Sequence, residues 1–402
     1  MHPQTSNAKG ARGYDALQIQ GASRIALRTP APKAWIDIYT IVPFLACVFA
    51  LIVSPLSGFF NPSEQQAVMD GTNAQLLPRI FWPVMAGISI ILVAQNSSRV
   101  AKLTWPPHII CLAVYLSFAG ASILWSFDPT ASFVRFAQQA MVVTSIILPG
   151  MLAERTTEML RGLFLCFALA LILNVFFVLD GVVDTVNCSA IAHCYKGYFG
   201  GKNYLGECAA MAFLLSLHEI VHRGWRRALG IIVIAIATVL VFLSDSKTAF
   251  GLIIISPFLA QLTLIVRKIT RISAALILLS LPLVYNIFSN IFQIDLISRV
   301  AYILYNDSTF TGRTIIWNFV QYEIGHRPLL GWGYQSFWLV PGSLSSEAPG
   351  WVKFMPNAHN GYYDTTVEMG YVGLVFLYVF IIATHHCIGR VADIISPAWR
   401  SL

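Results

Sequence analysis

The feature that most constrains this chain is a succession of apolar runs, each close to the roughly 20 residues an α-helix needs to cross the hydrocarbon core of a bilayer. Ten spans are expected, at about 36–57, 79–94, 107–125, 133–153, 160–180, 204–220, 225–243, 248–266, 272–292 and 362–384. In lipid every backbone amide must find its partner within the protein, so each run is expected to be a helix. The fold class is therefore all-α, a polytopic transmembrane helical bundle of about ten spans. Composition agrees: only 11% of the 402 residues are charged, against about a quarter in a soluble domain. Water cannot be the main solvent of this chain.

Four regions follow along the chain. Residues 1–35 are polar and basic, with Lys9, Arg12, Arg24, Arg28 and Lys33 ahead of any apolar stretch, and read as a disordered basic tail. No short apolar core followed by small residues marks a cleaved signal peptide there, so the first span is expected to act as the uncleaved targeting signal. Residues 36–292 carry spans one to nine, 293–360 form a long outer loop, and 361–402 hold the last span and a short tail. The connections at Arg99, Lys102, Arg155, Arg161, Arg223, Arg226, Arg227, Arg267, Lys268 and Arg271 share a side with the tail. Since Lys and Arg accumulate on the cytoplasmic side, both termini are expected in the cytoplasm of a bacterial inner membrane.

The net charge of +7 has the same explanation. Basic residues scattered over short loops do not form the single stripe with interleaved aromatics that nucleic acid requires, so no nucleic-acid partner is expected. Of the seven cysteines, Cys47, Cys111, Cys166, Cys208 and Cys387 lie in or beside apolar segments and behave as small hydrophobes. Cys188 and Cys194 share a polar outer loop, and in an oxidising compartment they are expected to pair.

A loop as long as 293–360 calls for a function or a structure of its own. Thr314–Tyr322 and Gly331–Leu339 are expected as short interfacial helices, with Trp317, Trp332, Trp338 and Trp351 at headgroup depth. Four polar clusters reach this outer side: Gly200-Gly201-Lys202-Asn203, Ser244-Asp245-Ser246-Lys247, Thr311-Gly312-Arg313 and Asn357-Ala358-His359-Asn360. Charge at a membrane boundary is costly unless it snorkels, pairs or binds an anion. Lys202, Lys247 and Arg313 can surround a diphosphate, Arg313 as a bidentate fork and the lysines as point charges. His359, with an imidazole that titrates near neutral pH, can take a proton from a sugar hydroxyl.

The order of these clusters resembles the O-antigen ligase and polysaccharide polymerase superfamily, including exopolysaccharide polymerases. The resemblance rests on Gly201-Lys202-Asn203, Ser244-Asp245-Ser246-Lys247-Thr248, Gly312-Arg313 with Trp317, Pro328-Leu329-Leu330-Gly331-Trp332-Gly333, and His359-Asn360 followed by Glu368, Gly370 and Gly373. It covers about residues 195–375. What it implies is glycosyl transfer from an undecaprenyl-diphosphate-linked oligosaccharide to a glycan acceptor at the periplasmic face, without a metal or other cofactor. Arg313 would take the loop-arginine role and His359 the base role. Lys247 stands where the family commonly has arginine, which keeps the charge and loses the fork. The implied partners are the lipid-linked donor, the acceptor, the bilayer and other polysaccharide assembly proteins.

Each residue also has a plainer reading. Lys247 can snorkel at a helix end, Lys202 and Asn203 can simply begin the sixth span with Asn203 as its N-cap, and His359 can be a plain polar loop residue. Glu368 shares a helix face with Asp364 and can either orient His359 or Arg313 or make a structural hydrogen bond. Arg135, Gln138 and Gln139 form a polar stripe that reads as interhelical glue, with a donor-lipid contact as the lesser reading of Arg135. His385-His386-Cys387 resembles a metal-ligand run but has no partner cluster, and no metal site is expected. At the level of function, polymerisation is weighed against ligation of a finished glycan to a lipid A-core or other acceptor, a flippase for the same lipids, and a non-catalytic assembly subunit. Transporters favour ionisable groups near the midplane and internal repeats, and here charge collects at one face. Reporter fusions at Arg227 and Arg271 are expected to report cytoplasm, and fusions at Asp184 and Ser345 periplasm; a cytoplasmic signal at Ser345 would remove the loop from the side its chemistry needs.

Overall fold

The computed structural model describes residues 38–61, 76–101, 105–153, 156–184, 188, 194–273, 276–278, 280–281, 284, 299, 302–303 and 312–399. The chain is all-α: among the described residues the only strand-like pairing is an isolated bridge between Val183 and Tyr195. Helices α1 (Ile38–Phe60), α2 (Leu76–Gln95), α3 (Pro107–Trp125) and α4 (Pro129–Leu152) are followed by α5 (Thr156–Leu179), α6 (Lys202–Glu219), α7 (Trp225–Leu243) and α8 (Lys247–Thr270). The long loop contributes α9 (Arg313–His326), and α10 (Gly361–Trp399) closes the order. Eight of these are long and apolar enough to cross a membrane: α1–α5, α7, α8 and the Gly361–Ile388 part of α10. Their outward faces carry Ile90, Phe176, Phe242 and Phe258, all exposed, a surface suited to lipid rather than water.

Two expected spans need comment. The ninth, 272–292, falls largely outside the described residues, as do the 1–35 tail and most of 293–311. The sixth is the helix α6, which is too polar to count among the eight because it carries Lys202, Glu207 and Glu219. Its 18 residues nevertheless extend about 27 Å at 1.5 Å per residue. It lies antiparallel to α7, tied at one end by Lys202 to Asp245 and at the other by Arg226 to Glu219. A helix pinned at both ends of a membrane-spanning neighbour runs the same depth as that neighbour. α5, α7 and α8 pack against it, leaving a stripe at Tyr204, Glu207 and Met211 exposed.

Small residues make this packing close. A Cβ on Gly206 would meet Ser246 Cβ at 2.6 Å and Ala249 Cβ at 2.9 Å, and one on Gly230 would meet Ile220 at 3.0 Å. Ala209, Ala210, Ala212 and Ala237 are fully buried in the same core. In lipid, where helices gain little by hiding apolar surface from one another, such close van der Waals approach is a main source of association. Several buried polar groups are satisfied locally: Ser89, Ser145 and Ser216 each return a hydrogen bond to the carbonyl four residues back, and Asn174 does so to Ala170.

The long loop is folded. Ile316, Val320 and Ile324 of α9 form a small core with Phe337, Trp338, Ala348, Val352 and Ala358, resting on Val367 of α10. The helix expected over Thr314–Tyr322 is part of α9. The one expected over Gly331–Leu339 is a correction: the segment is a series of turns, because Gly331, Gly333, Gln335 and Leu339 all have positive φ. Trp338 does not face outward but is buried, with Nε1 donating to Asp364 Oδ1 at 2.8 Å.

These turns serve a break in α10. Gly370 has φ 65° and ψ −172°, which interrupts the helix and frees the carbonyls before it. Trp332 N donates to Val367 O at 2.9 Å and Gly333 N to Glu368 O at 2.7 Å, while Tyr371 N donates to Pro328 O at 2.8 Å. The approach is so close that a Cβ on Gly370 would lie on the Leu329 carbonyl, and one on Gly331 on the backbone of Glu368. The expected outcome for Gly370→Ala is undocking of 328–333, read as faster proteolysis of the loop in detergent and a lower unfolding temperature, with backbone strain alone costing about 1–3 kcal/mol.

Candidate functional site

Three helices begin at one place, each with a cation as its first residue: Lys202 on α6, Lys247 on α8 and Arg313 on α9. The N-termini are held together by short contacts. Asn203 Oδ1 accepts from Ser246 Oγ at 3.2 Å, Lys202 Nζ pairs with Asp245 at 3.2 Å, and Arg313 Nη2 donates to Thr248 Oγ1 at 3.1 Å. Gly206, beneath Ser246 and Ala249, supplies the clearance that lets α6 and α8 meet. A helix N-terminus already carries about half a positive charge. A cation at the first residue is unfavourable for the helix itself, so three together form a strongly electropositive corner suited to an anion.

Two sequence readings change here. Asn203 is not the N-cap of α6: that position belongs to Gly201, and the Lys202 amide donates to Asp184 Oδ2 at 2.9 Å. Asn203 instead sits in the first turn and ties α6 to Ser246, whose own Oγ caps α8 by accepting from Ala249 N. Lys202 is shared with Asp245, which offsets part of its charge. The segment holding Asp184 is closed by the pairing of Cys188 with Cys194, Cα–Cα 6.2 Å, and by Asp184 N donating to Cys194 O at 2.8 Å. The expected cysteine pair therefore braces the loop that caps α6.

His359 stands on the turn before α10 with φ 52°, a left-handed conformation uncommon for a residue with a side chain. Four partners impose it. His359 N donates to Asn357 Oδ1 at 2.8 Å, Ala358 N donates to Asp364 Oδ1 at 2.8 Å, and Asn360 Oδ1 accepts from Tyr362 N at 3.1 Å at the start of α10. Trp317 Nε1 donates to Ala358 O at 2.9 Å. Thus Arg313 reaches back to Thr248 while Trp317, one turn along α9, holds the backbone next to His359. Burial, and then the nearby Arg313 guanidinium, push the His359 imidazole below its ordinary value, favouring the neutral ring.

The remaining residues divide differently. Glu368 is buried and bound to the loop: the Gln335 amide bonds its carboxylate, and Arg135 lies within electrostatic reach. These contacts are the structural reading of Glu368 and not an orienting bond to His359 or Arg313. Arg135 is glue, its guanidinium donating to the carbonyls of Gln335 at 2.7 Å, Trp338 at 2.9 Å and Leu339 at 3.2 Å. His385 bonds Ile381 O through Nδ1, as an ordinary helix side chain does. Glu207, one turn beyond Asn203 on α6, also lies close enough to Arg313 to feel its charge. The sequence reading passed over Glu207, although its spacing of four from Asn203 places it on the same face. Asp364, noted only as a neighbour of Glu368, is the residue that shapes the His359 turn.

The fold and this corner define a polytopic membrane protein in which three cation-headed helix N-termini meet beside a folded loop. Residues 209–378 match the family model described as O-antigen ligase. The exopolysaccharide production protein ExoQ of Rhizobium meliloti (strain 1021) is 26% identical over 289 residues, which cover 66% of this chain and 62% of that relative. The chain is thus similar to the O-antigen ligase family over residues 209–378 and to an exopolysaccharide production protein over about two thirds of its length. No solved structure matches the chain. Replacing Trp317 by Phe removes the bond to Ala358 while keeping the ring; the expected result is a normally inserted protein with faster amide exchange at 357–360, measured by hydrogen–deuterium exchange.

Proposed function

We propose that this chain transfers a glycan from a diphosphate-linked polyprenyl donor, an undecaprenyl-diphosphate-linked oligosaccharide, to a sugar hydroxyl at the periplasmic face, and so extends a polysaccharide. The supporting observation is the meeting of three cation-headed helix N-termini beside a histidine whose neutral form is favoured by desolvation and by Arg313. In the proposed step the acceptor hydroxyl gives its proton to His359 and attacks the anomeric carbon. The bond from that carbon to the diphosphate oxygen breaks, and the diphosphate leaves with the electron pair. Lys247, Arg313 and Lys202, with the N-terminal amides of α6, α8 and α9, stabilise the departing anion. The charge comes from side chains, so the reaction as proposed calls on no metal ion.

The chain spans about three fifths of the length of the curated relative it matches. That relative's name speaks of exopolysaccharide production, which favours polymerisation. The family description, O-antigen ligase, favours the second reading, ligation to a lipid A-core or other acceptor. Product length on gels separates the two: a ladder of repeats disappears with loss of a polymerase, whereas loss of a ligase leaves long glycan unattached.

Donor turnover in purified membranes tests the site. Lys247→Arg is expected to retain much of the activity and Lys247→Ala to lose roughly 10- to 1000-fold, as when one electrostatic stabiliser is removed. Arg313→Lys is expected to be damaging, because a point charge does not replace a bidentate fork. His359→Ala with normal turnover would overturn the proposal. Normal turnover in Lys247→Ala would reduce that residue to a helix-end cation.

The pH profile carries a further sign. A base must be unprotonated, and His359 is held below the ordinary histidine value of about 6.5. Turnover is therefore expected to be level near neutrality and to fall only as pH drops through the lowered value. In Arg313→Gln, whose residual turnover lacks the neighbouring positive charge, that acid limb should move to higher pH. A limb at the same pH in both proteins assigns it to another group.

A further inference from the structure

The opposite end of α6 carries a second cluster, and we propose that it is a binding site for a zinc-class divalent cation formed by His218, Glu219 and His222. Candidate ligand atoms of the three residues all lie within 4.8 Å of one another. His218 Nδ1 is 3.2 Å from Glu219 Oε1. Two ligands on a tetrahedral zinc ion at about 2.0–2.1 Å are separated by roughly 3.3 Å, so this pair already has the edge length of such a site. The rings of His218 and His222 stand 5.1 Å apart at 74°, and His222 Nε2 is buried with no hydrogen-bond partner. A ring nitrogen hidden from water without a partner is costly, and a metal ion would use its lone pair.

The local fold explains how the three come together. α6 ends at Glu219, and the His222 amide donates to Glu219 O at 3.1 Å, which folds the chain back so that His222 returns over the helix end. Arg226, from the first turn of α7, grips the Glu219 carboxylate through Nε at 2.7 Å and Nη2 at 2.8 Å. Each carboxylate oxygen has two lone pairs. The grip therefore fixes the plane of the carboxylate and leaves a lone pair on Oε2, while the second lone pair of Oε1 faces His218 Nδ1, a contact that an ion would replace. Glu219 is 1% exposed, whereas the His218 side chain is 45% exposed, so an ion can enter past His218 and keep a water as its fourth ligand.

His218-Glu219-Ile220-Val221-His222 also has the His-Glu-x-x-His order of zinc peptidase helices. That chemistry needs both histidines on a continuous helix and a glutamate able to act as base. Here the helix stops between the histidines and Arg226 immobilises the carboxylate. The geometry points instead to a structural ion that fastens the α6–α7 turn, at the far end of the helix whose first residue is Lys202. Two nitrogen donors and one carboxylate suit zinc and its neighbours, not magnesium or calcium, which favour oxygen.

Tag-free full-length protein in detergent, stripped with a chelator and equilibrated with micromolar Zn2+ or Co2+, provides the test. The expected result is one Zn2+ retained per chain by elemental analysis, with the visible absorption of four-coordinate Co2+. His222→Ala and His218→Ala should each weaken binding at least about tenfold, and His385→Ala/His386→Ala should leave it unchanged. Each variant is first shown to elute as the unaltered protein does; should His222→Ala not fold, the exposed His218 carries the test. Absence of binding by the unaltered protein, or stoichiometric binding that survives His218→Ala, overturns the proposal. The readout involves no glycan and is independent of the transfer reaction.

Discussion

Lipid offers no hydrogen bonds, and that constraint decides how the break in α10 is built. The helix turns at Gly370 and frees carbonyls in an otherwise apolar span. In water such groups would be solvated; here they accept from Trp332 and Gly333, whose segment must lie against the helix backbone. Everything above follows this docking. Turns with positive φ direct the carbonyls of Gln335 and Leu339 at Arg135, Trp338 reaches Asp364, and Asp364 shapes the turn that presents His359. Segment 328–339 is also stitched to the α3–α4 corner, where Asp128 N donates to Ser336 Oγ and Ser132 Oγ to Tyr334 O. The loop is thus a plug fitted to a broken helix.

The cationic corner is the complement of that plug. Lys202, Lys247 and Arg313 come from segments far apart in sequence, yet each begins a helix, and the starts converge because Gly206 lets α6 and α8 approach within side-chain contact. Placing positive charge on a positive helix end works against helix stability. Three such starts meeting in one place concentrate positive charge there, offset at Lys202 by Asp245. Arg313 joins this corner to the plug: it contacts Thr248 on one side, and Trp317 on the same helix holds the His359 turn on the other.

Much of this was legible beforehand where a local rule governed it. Eight of the ten expected spans, the partner of Cys194 and the helix after Gly312 follow from hydropathy, cysteine placement and patterning. What misled was also local. Asn203 has the residue type of an N-cap, but Asp184, 18 residues before Lys202, takes that task because the disulfide-braced loop brings it there. Gly331–Leu339 was expected as an interfacial helix, but its glycines serve a neighbour's backbone. Glu368, buried in an apolar helix, resembled a catalytic supporter and is bound instead to the loop that covers it.

By itself the sequence determined that this chain lives in a membrane as a helical bundle, because hydropathy over 20 residues and the cost of unpaired amides leave no other solution. It also determined which polar residues were worth following, since charge is costly at a membrane boundary. Only the tertiary structure decided which of them meet. Whether Lys247 stands beside Arg313, whether Glu368 reaches His359 or Gln335, and whether His222 folds back over Glu219 depend on close backbone approach at a few glycines and on turns with positive φ. Those are properties of packed segments, and no spacing along the chain encodes them.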